Sequence, residues 1–496
     1  MQFVVLVAFA LVFMPLGSPP WRTIHDPLAV VAVVAGQAVG TAAWAAWAAR
    51  RVLRRLDRDP MRPSAAQRQH ARDGATLGTL LLAGLLACVW FTDWPNLVRH
   101  EWGLDRVYGL AELVILLPFF ASLLAAWAIL FPADRALRHL AMEANLWEGL
   151  PARPPWSLGR YMVFLIRHQL LIVALPMMAI VIANDCVQAH VRYLRQVTRL
   201  YWADQAVLVA VAGAILFFAP ILLRVIWSTS VLPRGPLRER LVGVSGRLGL
   251  RFREILIWHS EGMVVNAAVM GLLPPVRYVL LSDGLLERME DEKIEAVFGH
   301  EAGHVKHLHI PYYLLFSVLS MLIVGGVCEL VFRVLRADPS YVTVTAAALL
   351  AGVWGVGFGW ISRRFERQAD VFGARVVSPA GPEGCDLPCH VHHPVGDPSA
   401  PAGAAGRVSG DALCATGART FGEALARVAR LNGIAQEARS WRHSSIGSRI
   451  RFLSALAADP AAVRRFARTI AAIKLVLVAG TAVGLAIGVW LYAGYM

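Results

Sequence analysis

Charge is scarce in this chain, and lysine is nearly missing. Charged residues make up 17% of the 496 positions, against roughly 25% in soluble domains. Of the 48 basic residues, only Lys293, Lys306 and Lys474 are lysine. Hydrophobic residues reach 57%, with a mean hydropathy of +0.53, where soluble domains hold roughly 45 to 50%. A wholly soluble globular protein is thereby excluded and a membrane protein expected. The six cysteines are too few for a disulfide-dense scaffold. Cys88, Cys186 and Cys328 lie in or beside apolar runs and read as small packing residues. No basic residue precedes the apolar run 2 to 16, which argues against a cleaved signal peptide and for a first span. The first 230 residues carry few polar side chains inside their apolar runs, so nothing there reads as an ion path. There is no internal repeat.

The apolar runs are what is there. Stretches at 27–49, 75–92, 109–131, 163–184, 205–229, 311–333, 343–361 and 471–493 reach or approach the roughly 20 residues that cross a bilayer, and the N-terminal run brings the expected total to about nine. Arginines gather between alternate spans, most densely in RRVLRRLDRDPMRPSAAQRQHAR (50–72), then at 135–160 and 224–253. The positive-inside rule makes these loops cytoplasmic. Topogenic charge therefore explains the net +14 without nucleic acid, and the lipid bilayer is the expected partner.

The expected organisation is an N-terminal membrane domain, 1–230, of about six spans. A first polar segment follows at 231–310, then two spans at 311–361, a second polar segment at 362–470 and a C-terminal span at 471–493. REILIWHSEGMVVNAAVMGLLPPVRYVLLS alternates short β-rich runs with turn residues and predicts a small antiparallel meander. The fold class is mainly α, polytopic membrane helices plus a smaller domain with that meander. The Pro, Gly and Ala rich stretch at about 378–415 reads as a flexible insertion.

Chemistry concentrates in MEDEKIEAVFGHEAGHVKHLHI, a predicted helix starting near Asp291 as N-cap. Four residues advance a helix by about 400°, so His300 and His304 share a face one turn apart. Two imidazoles so placed suit one zinc ion, and Glu301, about 100° around from His300, is within reach of a water on that zinc without being a ligand. His307 and His309 read as interface histidines. A third ligand is required. Past the next two spans, ISRRFERQADVFGARVV places Glu366 and Asp370 one turn apart, and Asp370 is suited to fixing the orientation of a ligand histidine. The competing reading of that helix is a solvated face with local pairs from Arg363 to Glu366 and from Arg367 to Asp370.

HEAGH, two spans, then ERQAD resembles the integral-membrane zinc endopeptidases that include the type I CaaX prenyl proteases and HtpX, whose pattern is HExxH followed by ExxxD. NAAVMG (266–271), RYVLLSDGLLERM and SWRHSSIGSRIRFL fit the same family, although Ser444 stands where proline is commoner. The resemblance spans roughly residues 235–455. It implies a gluzincin-type metalloprotease with one zinc per chain, held by His300, His304 and Glu366. Glu301 is the implied general base, Asp370 the orienting residue, and His443 a candidate for oxyanion stabilisation. Asn266, Ala267 and Ala268 are expected on an edge strand that aligns an extended substrate.

The implied activity is hydrolysis of membrane-associated or misfolded proteins at the cytoplasmic face of a bacterial inner membrane; prenylated substrates follow only from the family analogy. An intramembrane protease with HExxH inside a span is disfavoured by Glu290, Asp291, Glu292, Lys293, Glu295 and Lys306 around the motif. The alternative from another class is a non-catalytic membrane scaffold or transporter retaining the zinc-binding fold; the intact Glu301 speaks against it. CDLPCHVHH adds Cys385, Cys389, His390, His392 and His393, with Cys414 further on, but C-x3-C is a weak metal signature, and the loop is read as reduced and flexible.

Overall fold

The computed structural model describes residues 1–13, 21–59, 63–147, 149, 154–200, 202–262, 264–336, 338–392, 412–438 and 440–493. The chain divides into two compact units, Met1–Trp227 and Ser228–Met496. Among the described residues, eight helices are long and apolar enough to cross a membrane: Pro27–Arg58, Ser64–Phe91, Leu110–Leu140, Leu158–Ala189, Ala203–Ile226, His309–Phe332, Tyr341–Val376 and Pro460–Trp490. The ninth expected span falls short among the described residues, because the helix Gln2–Phe13 has 12 residues and so rises about 18 Å.

In the first unit the arginine-rich stretch is not a loop. The helix from Pro27 continues to Arg58, and another starts at Pro63. Arginine, alanine and leucine are strong helix formers, so the apolar run and its basic flank propagate as one helix. The entry is fixed by Asp26, whose carboxylate accepts the Ala29 amide at 2.8 Å, with Pro27 in the first turn. Leu77, Leu81, Leu85, Ile115, Leu116, Phe119 and Leu123 are buried between helices.

The second unit is built on a four-stranded sheet: β1 (Thr229–Val231), β2 (Glu254–Trp258), β3 (Ala267–Met270) and β4 (Tyr278–Ser282), in the order β1-β2-β4-β3. The expected small sheet is present, but it is mixed rather than an antiparallel meander, because β2 and β4 pair in parallel while β1 with β2 and β3 with β4 are antiparallel. The turn after β2 explains this. Buried Asp283 accepts the Ser260 and Gly262 amides, both at 3.1 Å, and the Ser260 hydroxyl at 2.6 Å. That clamp carries the chain past the place where a hairpin partner for β2 would form, and β4 fills it. Every residue of β4 is buried, and β3 is left as an edge.

Helix Asp291–Lys306 contains HEAGH, and helix Gly359–Val376 contains ERQAD. Glu290, not Asp291, occupies the cap position, and it pairs with Lys293. The HEAGH and ERQAD helices pack closely because small residues face each other. A Cβ on Gly303 would stand 3.1 Å from Ala369 Cα, and one on Gly299 would stand 2.9 Å from Val376. Beneath them Phe298, Phe421, Leu281, Leu285 and Leu453 form a buried core, each side chain worth about 1.5–3 kcal/mol on burial. Glu295, on the HEAGH helix, is buried and paired with Arg240 and Arg247. Of the expected insertion, residues 393–411 and with them His393 lie outside the described residues.

Candidate metal centre

The local breaks in the chain set the histidine cluster. The HEAGH helix ends at Lys306, and Leu308 takes a left-handed conformation, φ +56°, before the next helix begins at His309. This bend folds His309 back against the HEAGH helix. Its Nδ1 lies 2.8 Å from His304 Nδ1, and its Nε2 lies 3.0 Å from Gln368 Oε1. With Gln368 oxygen accepting from His309 Nε2–H, His309 Nδ1 accepts from His304 Nδ1–H, which leaves His304 Nε2 as a lone-pair donor. His309 is fully buried and stacks on Phe365 with centroids 4.4 Å apart. It opens the apolar helix His309–Phe332, as its place in the chain implies, but its ring is turned into the protein. His307 is half-buried and packs edge-on to Phe372.

His300 Nε2 and His304 Nε2 lie 3.2 Å apart, and Glu366 places Oε2 at 3.6 Å from His300 Nε2 and Oε1 at 3.7 Å from His304 Nε2. Zinc bonds of about 2.0–2.2 Å in a tetrahedron put neighbouring donor atoms about 3.3–3.6 Å apart. The two imidazoles and the carboxylate thus fit one zinc ion. The third donor predicted by sequence, 62 positions from His304, is delivered by the close approach of the two helices. The local pairs that competed for the ERQAD helix are not what organises it: Arg363 donates to the Trp441 carbonyl at 2.7 Å, and Arg367 lies over the Phe452 ring.

Asp370 is fully buried, with Oδ1 3.0 Å from His300 Nδ1. The approach lies off the imidazole N–H axis, so it is an ion-pair contact more than an aligned hydrogen bond. Both Asp370 oxygens are gripped by Arg449, the Nε at 2.8 Å. Arg449, matched in the sequence but given no role there, is the residue the motif reading missed. Its signal was the late SRIRFL segment, which periodicity alone reads as an ordinary helix. Burial would lower the pKa of His300, but its contacts with Asp370 and Glu366 outweigh this and raise it to about 10. For His304, burial and the neighbouring His300 act together and lower it to about 3. The Glu366 and Asp370 carboxylates around the two imidazoles thus favour positive charge at this site.

Glu301 Oε2 lies 3.4 Å from the Val269 amide on β3, and burial pushes its pKa up. Val265, two positions before the strand, is engaged on the same side by Asn432, which accepts its amide at 3.2 Å and donates to its carbonyl at 2.8 Å. By alternation, Ala267 and Val269 turn their main-chain groups away from β4. Asn266 and Ala268 turn theirs toward it; Ser282 N donates to Asn266 O at 3.0 Å. Of the three residues expected to meet substrate, only Ala267 has its backbone on the free edge, and Val269 joins it.

His443 is 45% exposed at the side chain and places Nδ1 2.9 Å from Glu366 Oε1. It belongs to the cluster through Glu366. The next residue, Ser444, has φ +64°, a conformation closed to proline, so the departure from the family's proline is matched by the backbone.

Fold and site together define a chain with helices long and apolar enough to cross a membrane and a cluster of two histidines and a glutamate able to hold a metal ion. Residues 238–386 match peptidase family M48. The chain is 28% identical over 161 residues to protease HtpX of Xanthomonas axonopodis pv. citri, covering 29% of this chain and 54% of the relative. It is 31% identical over 157 residues to a protease HtpX homolog of Bordetella avium, covering 29% and 53%. The chain thus spans about half the length of the curated relatives it matches. A crystal structure of Ste24p from S. mikatae superposes with a TM-score of 0.48 at 13% identity, covering 87% of this chain and 98% of that one. The resemblance to the membrane zinc peptidases, expected from the motifs, is met by the family match and the HtpX relatives.

Proposed function

We propose that this chain is a zinc-dependent endopeptidase that hydrolyses membrane-associated or misfolded proteins at the cytoplasmic face. The observation that carries this reading is the position of Glu301, beside the His300, His304 and Glu366 donors and 3.4 Å from the amide of edge strand β3. A base, a metal-donor set and a peptide-binding edge thus converge.

His300, His304 and Glu366 would hold the zinc, which when bound supplies Lewis-acid polarisation of the scissile carbonyl and of water. Glu301 takes the proton from the attacking water at its carboxylate and returns it to the leaving amine. Its raised pKa suits both roles, since a group that accepts and then donates works best near ambient pH. Asp370 fixes the ring of His300, and His309 with Gln368 fixes that of His304. Ala267 and Val269 align an extended substrate as an added strand, which favours unfolded segments. His443 stands beside Glu366, where its ring can meet the developing oxyanion.

The test is purified wild type against Glu301→Gln, with bound zinc measured and cleavage of an unfolded membrane-protein substrate followed. Zinc retained in both, with cleavage lost by at least a hundredfold in the variant, is the expected result. Equal cleavage would remove Glu301 from the mechanism, and no cleavage by zinc-loaded wild type would favour the scaffold alternative.

A further inference from the structure

A second cluster of metal-capable side chains lies outside the centre just described. Cys385 Sγ is 3.4 Å from Cys389 Sγ and 3.6 Å from Cys414 Sγ, and Cys389 Sγ is 3.5 Å from His392 Nδ1. All four donor atoms fall within 4.8 Å of one another. Zinc–sulfur bonds of about 2.3 Å and zinc–nitrogen bonds of about 2.0–2.1 Å put neighbouring donors in a tetrahedron about 3.5–3.8 Å apart. The sulfurs lie within about 0.4 Å of that spacing and far from the roughly 2.05 Å of a disulfide.

We propose that Cys385, Cys389, His392 and Cys414 form a second, structural zinc site. Three thiolates and one imidazole complete a tetrahedron and leave no open position, the pattern of closed structural sites. Cys389 and Cys414 are each 2% exposed, so the site is shielded. Its outer groups are in place: the His392 amide donates to Cys389 Sγ at 3.4 Å, and Thr416 Oγ1 stands 3.4 Å from Cys385 Sγ and donates to Asp386 at 2.7 Å. Cys414 sits at the N-terminal cap of helix Ala415–Leu431.

The sequence offers all four side chains but not their meeting, because Cys414 comes 25 positions after Cys389, beyond a Pro and Gly rich stretch. Its consequence is mechanical. The site ties segment 385–392 to the start of the helix that carries Phe421, whose ring stacks on His300 with centroids 6.0 Å apart. It is independent of the peptidase reading.

The test uses the full chain purified in detergent. Wild type should bind two zinc ions per chain. A His300→Ala, His304→Ala double variant should keep one, and so should Cys389→Ser with Cys414→Ser. Because the cysteine variants disturb a buried cluster, the histidine double variant is also loaded with cobalt, which should give thiolate-to-cobalt charge-transfer absorption. One zinc in wild type and none in the histidine variant, cobalt binding without thiolate absorption, or a disulfide among Cys385, Cys389 and Cys414 under reducing purification would each overturn the site.

Discussion

Asp370 and Arg449, 79 positions apart, form a buried two-point ion pair that backs His300. Removing one partner of such a pair leaves a charge stranded away from water, which costs about 3–5 kcal/mol. Arg449→Met should therefore lower the melting temperature markedly and weaken zinc binding. Arg449→Lys should recover only part of the loss, because an ammonium does not reproduce the forked contact. Thermal unfolding of the three proteins checks this, and a wild-type melting temperature in Arg449→Met would count against the pair.

His309 is expected to act through His304. His309→Ala removes the acceptor that fixes the His304 tautomer, and loss of such an outer partner typically weakens metal binding 10–100-fold. Chelator competition on the folded variant measures the affinity, with the His307→Ala protein as a control expected to change little. Equal affinities in wild type and His309→Ala would show that His304 is oriented by other means.

Helix contact rests on glycine. Gly303→Val adds bulk where a Cβ already stands 3.1 Å from the Ala369 backbone, so it should cost about 1–3 kcal/mol and reduce zinc retention. Gly243→Ala, in an exposed helix position with no heavy atom within 4 Å of the added carbon, should instead stabilise by about 0.5–1 kcal/mol. Paired unfolding curves in one detergent decide whether the two signs are opposite.

The edge strand separates two proline variants. Ala268 hydrogen-bonds toward β4, so Ala268→Pro should damage the sheet and lower stability. Ala267→Pro removes an amide that faces away from β4, so it should leave the fold and bound zinc unchanged while lowering cleavage of an unfolded substrate. If Ala267→Pro cleaves at the wild-type rate, substrate does not pair with this edge.

How much of this was legible in sequence follows from the reach of each contact. The apolar runs announced eight of the nine expected spans, because about 20 apolar residues are needed wherever a helix crosses lipid. Their extents were less legible. The arginine flank after residue 49 has the charge of a loop yet continues the helix to Arg58, because charge leaves helix propensity intact. The sheet's presence was readable from β-rich runs, but its parallel pair was not, since Asp283 and the Ser260–Gly262 turn redirect the strand from outside its own sequence.

By itself, the sequence determined the membrane character and the pairing of His300 with His304, because helical periodicity is local. The family motifs pointed to Glu366 and Asp370. Tertiary structure decided what lies behind those ligands: Arg449 under Asp370, His309 behind His304, and Cys414 beside Cys385 and Cys389. It also decided that Ala267 and Val269, not Asn266 and Ala268, face the free edge. The reason is physical. Contacts of this kind depend on how closely two helices approach and on the register of two strands. Packing of Gly299 and Gly303 sets the first, and the clamp at Asp283 sets the second; a linear pattern encodes neither.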